Sequence, residues 1–391
     1  MDIPLLNSLF RWIEKICTPK YSMYLLVLLV CVFAIPHTRP RVWHNNAWDA
    51  VMLKSQDLTN PLTDFPPSSN PAKRVFRLTV PIVIKVFHLN SLGVDIIQFI
   101  LGYLLIIFAH KLSIRILKDA VAATFIAFGL LFTFFGNISF WDTRTAWFDG
   151  WSFFFLVMAL FQRNLFGIFF FATCAAWNDE RAFLALPVVL LFHQIDKEQT
   201  PAYNIKALIF LNRRSIAVLA AIIGYVAGRV FLQAQFGMHT PLGEGSGVSL
   251  SLLRQHLYLM PLGTWTFLEG FWLLFLVFIL FALTNKDYFL LTLILGLTII
   301  LTAIAGCVLD ITRSGAYLMP VIFVLASYLK NYMDIQAMKY LLLFVMTVCI
   351  IFPPYFVMKW ESDIYFMGFP IIIELPLKLL HVPESAMRQT F

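Results

Sequence analysis

Four stretches of this 391-residue chain set carboxylates and arginines into apolar, aromatic surroundings. The segment NISFWDTRTAWFDGWSFFFLV, residues 137–157, carries Asp142, Arg144 and Asp149. AAWNDERAFLALP, residues 175–187, carries Asn178, Asp179, Glu180 and Arg181. VLDITRSGAYLMP, residues 308–320, carries Asp310 and Arg313. Nearer the N-terminus, HNNAWDAVMLKSQDL and NPAKRVFRLTVP supply Asp49, Asp57, Arg74 and Arg77. A carboxylate within hydrogen-bond reach of a hydroxyl can remove its proton. An arginine holds a phosphate by two parallel N–H bonds from its planar fork. Together these residue types suit transfer to a hydroxyl from a donor whose leaving group is a phosphate, with arginines stabilising the charge that accumulates there.

The rest of the composition says what must position them. The chain is 60% hydrophobic and 13% charged, with 40 Phe and a mean hydropathy of +0.79. A soluble protein could not cover its surface with so few polar groups. Apolar runs long enough for helices in a hydrocarbon core about 30 Å thick recur along the sequence. The expected fold class is therefore all-α, a polytopic integral membrane protein with about eleven transmembrane helices in one domain, residues 1–391. Spans are expected near 21–35, 94–110, 120–138, 146–161, 164–178, 182–194, 215–236, 264–284, 288–308, 314–329 and 339–357. Residues 37–93 form a long first loop with interfacial helices. In it LTVPIVIKVFHL reads as a short re-entrant or interfacial helix, because Lys85 sits mid-segment. The tail at 360–391 reads as interfacial. The net charge of +7 sets topology and meets anionic headgroups, and it implies no nucleic acid. No C-x-x-C pair occurs among the five cysteines, so neither a disulfide framework nor a zinc site is indicated.

Placing the N-terminus in the cytoplasm puts the Lys- and Arg-rich short loops inside, as the positive-inside rule requires. The four polar stretches then share the extracytoplasmic face, at helix ends, with Arg229 and Lys85 as the main charges elsewhere. Asp142 and Asp149, seven apart, would share a helix face; so would Asn178 with Arg181, and Asp310 with Arg313, each three apart. Each stretch also has a plain structural reading. External tryptophans anchor at the interface, Asp310 and Arg313 can cap a helix as a local pair, and NDER can be a tight turn. Their joint placement on one side favours a common polar cavity.

The arrangement resembles the polytopic glycosyltransferases that use polyprenyl-phosphate sugars, the GT-C type. NAWDAVML is similar to the Trp-Asp element of the first loop in some mannosyltransferases, and KRVFRLTVPIV to the basic, proline-containing return into the membrane. The resemblance implies a hexosyltransferase of cell-envelope polysaccharide in a bacterial plasma membrane. Asp49 would be the catalytic acidic residue of the first loop and Asp142 its second-loop counterpart. Arg74, Arg77, Arg144, Asp149, Asn178, Asp179, Glu180, Arg181, Asp310 and Arg313 would contact substrate. The large C-terminal soluble domain of some members is not expected here, and no tandem acidic pair marks the first loop, so the choice between Asp49 and Asp57 stays open. The partners implied are the lipid-linked sugar and the bilayer.

No metal ligand set is evident and no cofactor is required by the residues, although converging carboxylates are compatible with a divalent ion. GEGSGVSL, residues 243–250, lacks the preceding strand of a phosphate loop and reads as a linker. Neither H-E-x-x-H nor G-x-S-x-G occurs. Two alternatives remain: a transporter or lipid flippase, which would spread charge through the membrane depth, and another membrane transferase, such as a polysaccharide polymerase or an acyltransferase.

Overall fold

The computed structural model describes residues 4–17, 24–25, 27–28, 47–67, 69–140, 146–196, 211–241, 249–352, 354–358 and 364–366. Helices dominate these residues. α1 (Pro4–Cys17) precedes the first loop, which contains α2 (Ala47–Gln56), a 3-10 turn at Ala72–Arg74 and α3 (Thr79–Phe87). Then come α4 (Ser91–Leu117), α5 (Ala120–Phe132), the short α6 (Phe134–Ile138), α7 (Asp149–Phe161), α8 (Leu165–Asn178), α9 (Glu180–Ile195) and α10 (Arg213–Phe236). The last third holds α11 (Leu250–Gln255), α12 (Met260–Leu268), α13 (Trp272–Thr284), α14 (Tyr288–Gly306), α15 (Ile311–Gly315), α16 (Pro320–Leu329) and α17 (Ile335–Ile351). A small antiparallel hairpin follows, β1 (Tyr355–Val357) with β2 (Ile364–Phe366), pairing Tyr355 with Phe366.

Polar caps fix where these apolar helices begin. Asn90, Asp119, Asn164, Asn212 and Asp334 each accept a bond from a backbone N–H in the first turn that follows. Such bonds satisfy donors that hydrocarbon cannot. Five helical segments are long and apolar enough to cross a membrane: Ser91–Leu117, Arg213–Phe236, Met260–Thr284, Tyr288–Gly306 and Ile311–Leu329. Others, such as α5, α7 and α8, are apolar but only 13 or 14 residues long. At 1.5 Å per residue that is about 20 Å, short of the hydrocarbon thickness. The chain is thus a mostly helical protein of the polytopic membrane kind, and its five long helices do not by themselves give eleven crossings.

The packing order is that of a bundle around a buried centre. Ile311–Leu329 is wholly buried, and α16 packs on α9 and α13. Around it α4 packs on α5 and α7, α7 on α8, and α8 on α10. The outward faces remain apolar, with Ile223, Val230, Phe231, Leu280, Ile299 and Phe344 exposed. Exposed apolar side chains in such numbers belong against lipid tails.

Two expectations from periodicity fail in detail. The span expected at 146–161 is helical only from Asp149, and the one at 339–357 ends at Ile351, where the chain turns into β1. In the tail expected to be interfacial, residues 364–366 form β2, and the remainder lies outside the described residues. The short helix expected around Lys85 is present as α3, with Ile82, Val86 and Phe87 exposed as an interfacial helix would have them.

Two apolar segments are interrupted. α5 stops at Thr133, whose side chain caps α6. Met260–Thr284 breaks at Glu269, which adopts φ +48° between α12 and a 3-10 turn.

Candidate functional site

Most of the polar residues singled out in the sequence meet at one end of the bundle. Asp149 lies at the centre, at the first position of α7, with a fully buried side chain. It accepts bonds from Arg313 Nη2 at 2.8 Å, Arg181 Nη2 at 3.0 Å and the Tyr317 hydroxyl at 3.0 Å. Arg313 also reaches Asp310 at 2.6 Å, and its guanidinium lies 4.2 Å from the centre of the Trp147 ring. Arg181 grips Asp179 through Nε and Nη2, both at 2.7 Å. Arg77 in turn pairs with Asp179 at 2.9 Å and with Glu180 at 2.8 Å. The result is one chain of ion pairs running Glu180, Arg77, Asp179, Arg181, Asp149, Arg313, Asp310.

Local sequence explains the convergence. A single extended residue, Asp179, separates α8 from α9 and caps the latter, so Asn178, Asp179, Glu180 and Arg181 cluster at a sharp helix junction. Asn178 turns inward, donating to the Phe148 carbonyl at 2.8 Å and the Ser152 hydroxyl at 2.7 Å. Arg74, also buried, donates to the carbonyl of Ala146, which holds a left-handed conformation at φ +54°. That conformation is strained for a residue with a Cβ, and the Arg74 bond helps hold it. It aims Trp147 and Asp149 into the cluster.

The spacing arguments hold for one pair and not for another. Asn178 and Arg181 share no helix face, because the helix breaks between them. Helix α7 begins at Asp149, so no helical register reaches back to Asp142, and Trp147 precedes the helix that holds Trp151. Asp142 and Arg144 themselves lie outside the described residues. Asp310 and Arg313 do form the local pair that their spacing suggested, while Arg313 also spans to Asp149. Trp147 and Trp151 are buried rather than anchoring at an interface.

Asp49 stands apart. It is exposed in the first turn of α2 and contributes no ion pair to the chain of contacts above. Its neighbours Ala50 and Val51, with Lys54, Arg74, Arg77, Val80, Pro81, Phe148 and Asn178, line a narrow cleft beside the cluster. Asp49, Arg181 and Arg313 are not among the lining residues. Asp57 is also exposed, and hydrogen bonds from Thr59 lower its carboxyl below the usual range.

The charges outside the membrane-spanning segments follow their partners. Burial alone would raise the Asp179 carboxyl, but the Arg181 and Arg77 guanidiniums outweigh it and hold the group well below the usual range. Burial would likewise lower Arg77, and Asp179 and Glu180 reverse the sign. Lys54 has no such compensation: burial pushes it down to about 8, with only Asp57 opposing. Its ammonium donates to the carbonyls of Leu58 and Asn60, both at 2.8 Å.

Sequence reasoning missed Lys54 and Tyr317. Tyr317 follows Arg313 by four residues, a spacing that could have drawn attention to it; Lys54 shows nothing in sequence to separate it from a solvated loop lysine. The first loop's Trp48 packs against Phe148, and Trp177 against Tyr225. Among the described residues no group of three or more His, Cys, Asp or Glu is placed to hold a metal ion. Comparison with known proteins adds no relative: no family model, curated protein or solved structure matches the chain.

Proposed function

We propose that this protein is a membrane glycosyltransferase that moves a sugar from a polyprenyl-phosphate donor to an acceptor hydroxyl of a cell-envelope polysaccharide. The observation that carries the reading is the gathering of Arg74, Arg77, Arg181 and Arg313 at one end of lipid-facing helices, beside a first-loop helix with an exposed carboxylate. Four carboxylates, Asp149, Asp179, Glu180 and Asp310, offset these four arginines, and Lys73 adds positive charge within reach of Asp310 and Glu180. A site so balanced can accept a phosphate by exchange at its rim. Glu180 and Asp310 are the partly exposed carboxylates, with side chains 34% and 24% accessible, so they are the ones a donor phosphate displaces.

In the proposed reaction Asp49 takes the proton of the acceptor hydroxyl. The acceptor oxygen bonds to the anomeric carbon, the bond from that carbon to the phosphate oxygen breaks, and polyprenyl phosphate leaves as an anion. Arg77 and Arg181 hold the developing charge on that phosphate. Asp149, saturated by two arginines and a tyrosine, is a positioning residue that fixes the orientation of Arg181 and Arg313. The proposed topology places this end outside, the N-terminus in the cytoplasm, and about eleven crossings in the plasma membrane of a bacterium.

The test is transfer of labelled sugar from polyprenyl-phosphate hexoses in membranes. Asp49→Asn is expected to abolish transfer with normal insertion, and Arg181→Lys to raise the donor concentration required. Full activity of Asp49→Asn would remove its role as base. Failure of the wild type with every such donor would remove the glycosyltransferase reading itself.

A further inference from the structure

Charge in the bundle is not confined to its ends. Glu269 lies nine residues into the span Met260–Thr284, about 14 Å along a helix at 1.5 Å per residue, which is close to mid-bilayer. It is 1% exposed. One oxygen, Oε1, accepts the Phe134 N–H at 2.8 Å; the other, Oε2, has no hydrogen-bond partner among the described residues. The two residues in contact are both at helix breaks: Phe134 opens α6 after the stop at Thr133, and Glu269 itself parts α12 from α13. The backbone there is held at φ +48°, which a glutamate adopts only under constraint.

Among the described residues nothing cationic compensates this carboxyl. From α17, Gly270 is closely approached by the Val345 carbonyl and by Cys349, whose buried thiol is the other titratable group at the junction among the described residues. Thr133 and Phe134 on the α5–α6 side carry no charge, and neither does Phe356 of β1, stacked on Phe134 at 5.7 Å. A metal cation would need several oxygen ligands, and no such grouping is present among the described residues. Ionisable groups at membrane depth are costly and are kept where they act.

We propose that Glu269 is a proton-binding site of the membrane interior, carrying one exchangeable proton on Oε2 at the junction of two broken helices. Nothing in this assignment depends on the transferase reading.

Infrared spectroscopy of the full chain in lipid tests it directly. The expected result is a carboxylic-acid C=O band at neutral pH that shifts in heavy water, fades on alkaline titration, and is missing from Glu269→Gln. The amide keeps an oxygen for the Phe134 N–H, so Glu269→Gln is expected to unfold within a few degrees of wild type. A carboxylate band in its place overturns the proposal by showing that the group is charged. A band that neither shifts nor titrates overturns it too, because the acid would then be a static part of the packing. If Glu269→Gln does not assemble, Glu269→Asp supplies the difference spectrum, since a shorter acid in the same place must displace the band.

Discussion

Asp149 shows how position rather than residue type decides what a charge contributes. Its carboxylate is fully buried and held by Arg313, Arg181 and Tyr317, so removing its charge takes from each of two buried guanidiniums one of its two carboxylate partners. Asp149→Asn is therefore expected to cost about 3–5 kcal/mol of stability, the range for breaking one side of a buried pair. Asp310→Asn removes a partly exposed partner of Arg313 and should cost about 1 kcal/mol or less. Thermal unfolding of both variants in one detergent distinguishes them; equal losses would contradict the central role of Asp149. Lys54 gives a pH signature of its own. Its folded value is about 8 against an ordinary 10.5. Below about pH 8 both folded and unfolded chains hold the proton, and the cost of burying the charge is present in full. Between about 8 and 10.5 the unfolded chain binds more protons, so stability rises with pH. The gain should be at most about 3 kcal/mol, less what solvent screening removes, and absent from Lys54→Met, measured as melting temperature across that window.

At the scale of elements, the site depends on how closely α7 approaches the turn before it. A Cβ built on Gly150 would lie 2.8 Å from the Ser139 carbonyl oxygen and 2.9 Å from its Cα, both backbone atoms. Gly150→Ala must push the start of α7 away, and Asp149 with it. We expect a loss of about 1–3 kcal/mol, typical of overpacking, together with reduced sugar transfer. Gly224, inside α10, has nothing within 4 Å of such a Cβ. Gly224→Ala should be neutral or stabilising by up to about 1 kcal/mol through helix propensity. If both alanines behave alike, the tight approach is not what fixes the site.

Glu269 aside, the ion pairs of the described residues divide between two ends of the molecule. One end holds the arginine–carboxylate cluster. The other holds Arg115 with Asp196, Lys339 with Asp119, and Asp287 bonded by the hydroxyls of Tyr328 and Tyr332. Arg163, Arg213, Arg214 and Lys330 accumulate in the connections at that second end. In the proposed orientation the positive-inside rule turns this end to the cytoplasm. In a cysteine-free background, a cysteine in place of Asp49 should react with an impermeant thiol reagent from outside the cell. One in place of Lys330 should react only after permeabilisation. The opposite pattern would turn the protein over and put the cluster on the cytoplasmic side.

What the sequence determined was the class of solvent around the chain and the identity of the polar residues set apart from it. Composition and run length are local properties, and hydrocarbon imposes the same helical answer on every apolar run. Arg77, Asp149, Asp179, Arg181 and Arg313 were recognisable because charge among apolar residues is costly wherever it falls. Their partners were not recognisable. Arg313 to Asp149 spans 164 residues and Arg77 to Glu180 spans 103, distances over which helical spacing carries no information. Only the packed bundle decided that Asp49 stays exposed while Asp149 is saturated, that the helix breaks at Asp179 rather than continuing, and that Glu269 pairs with none of the described arginines. Each of those depends on which helices become neighbours, and that is settled by the fit of side chains across the whole core.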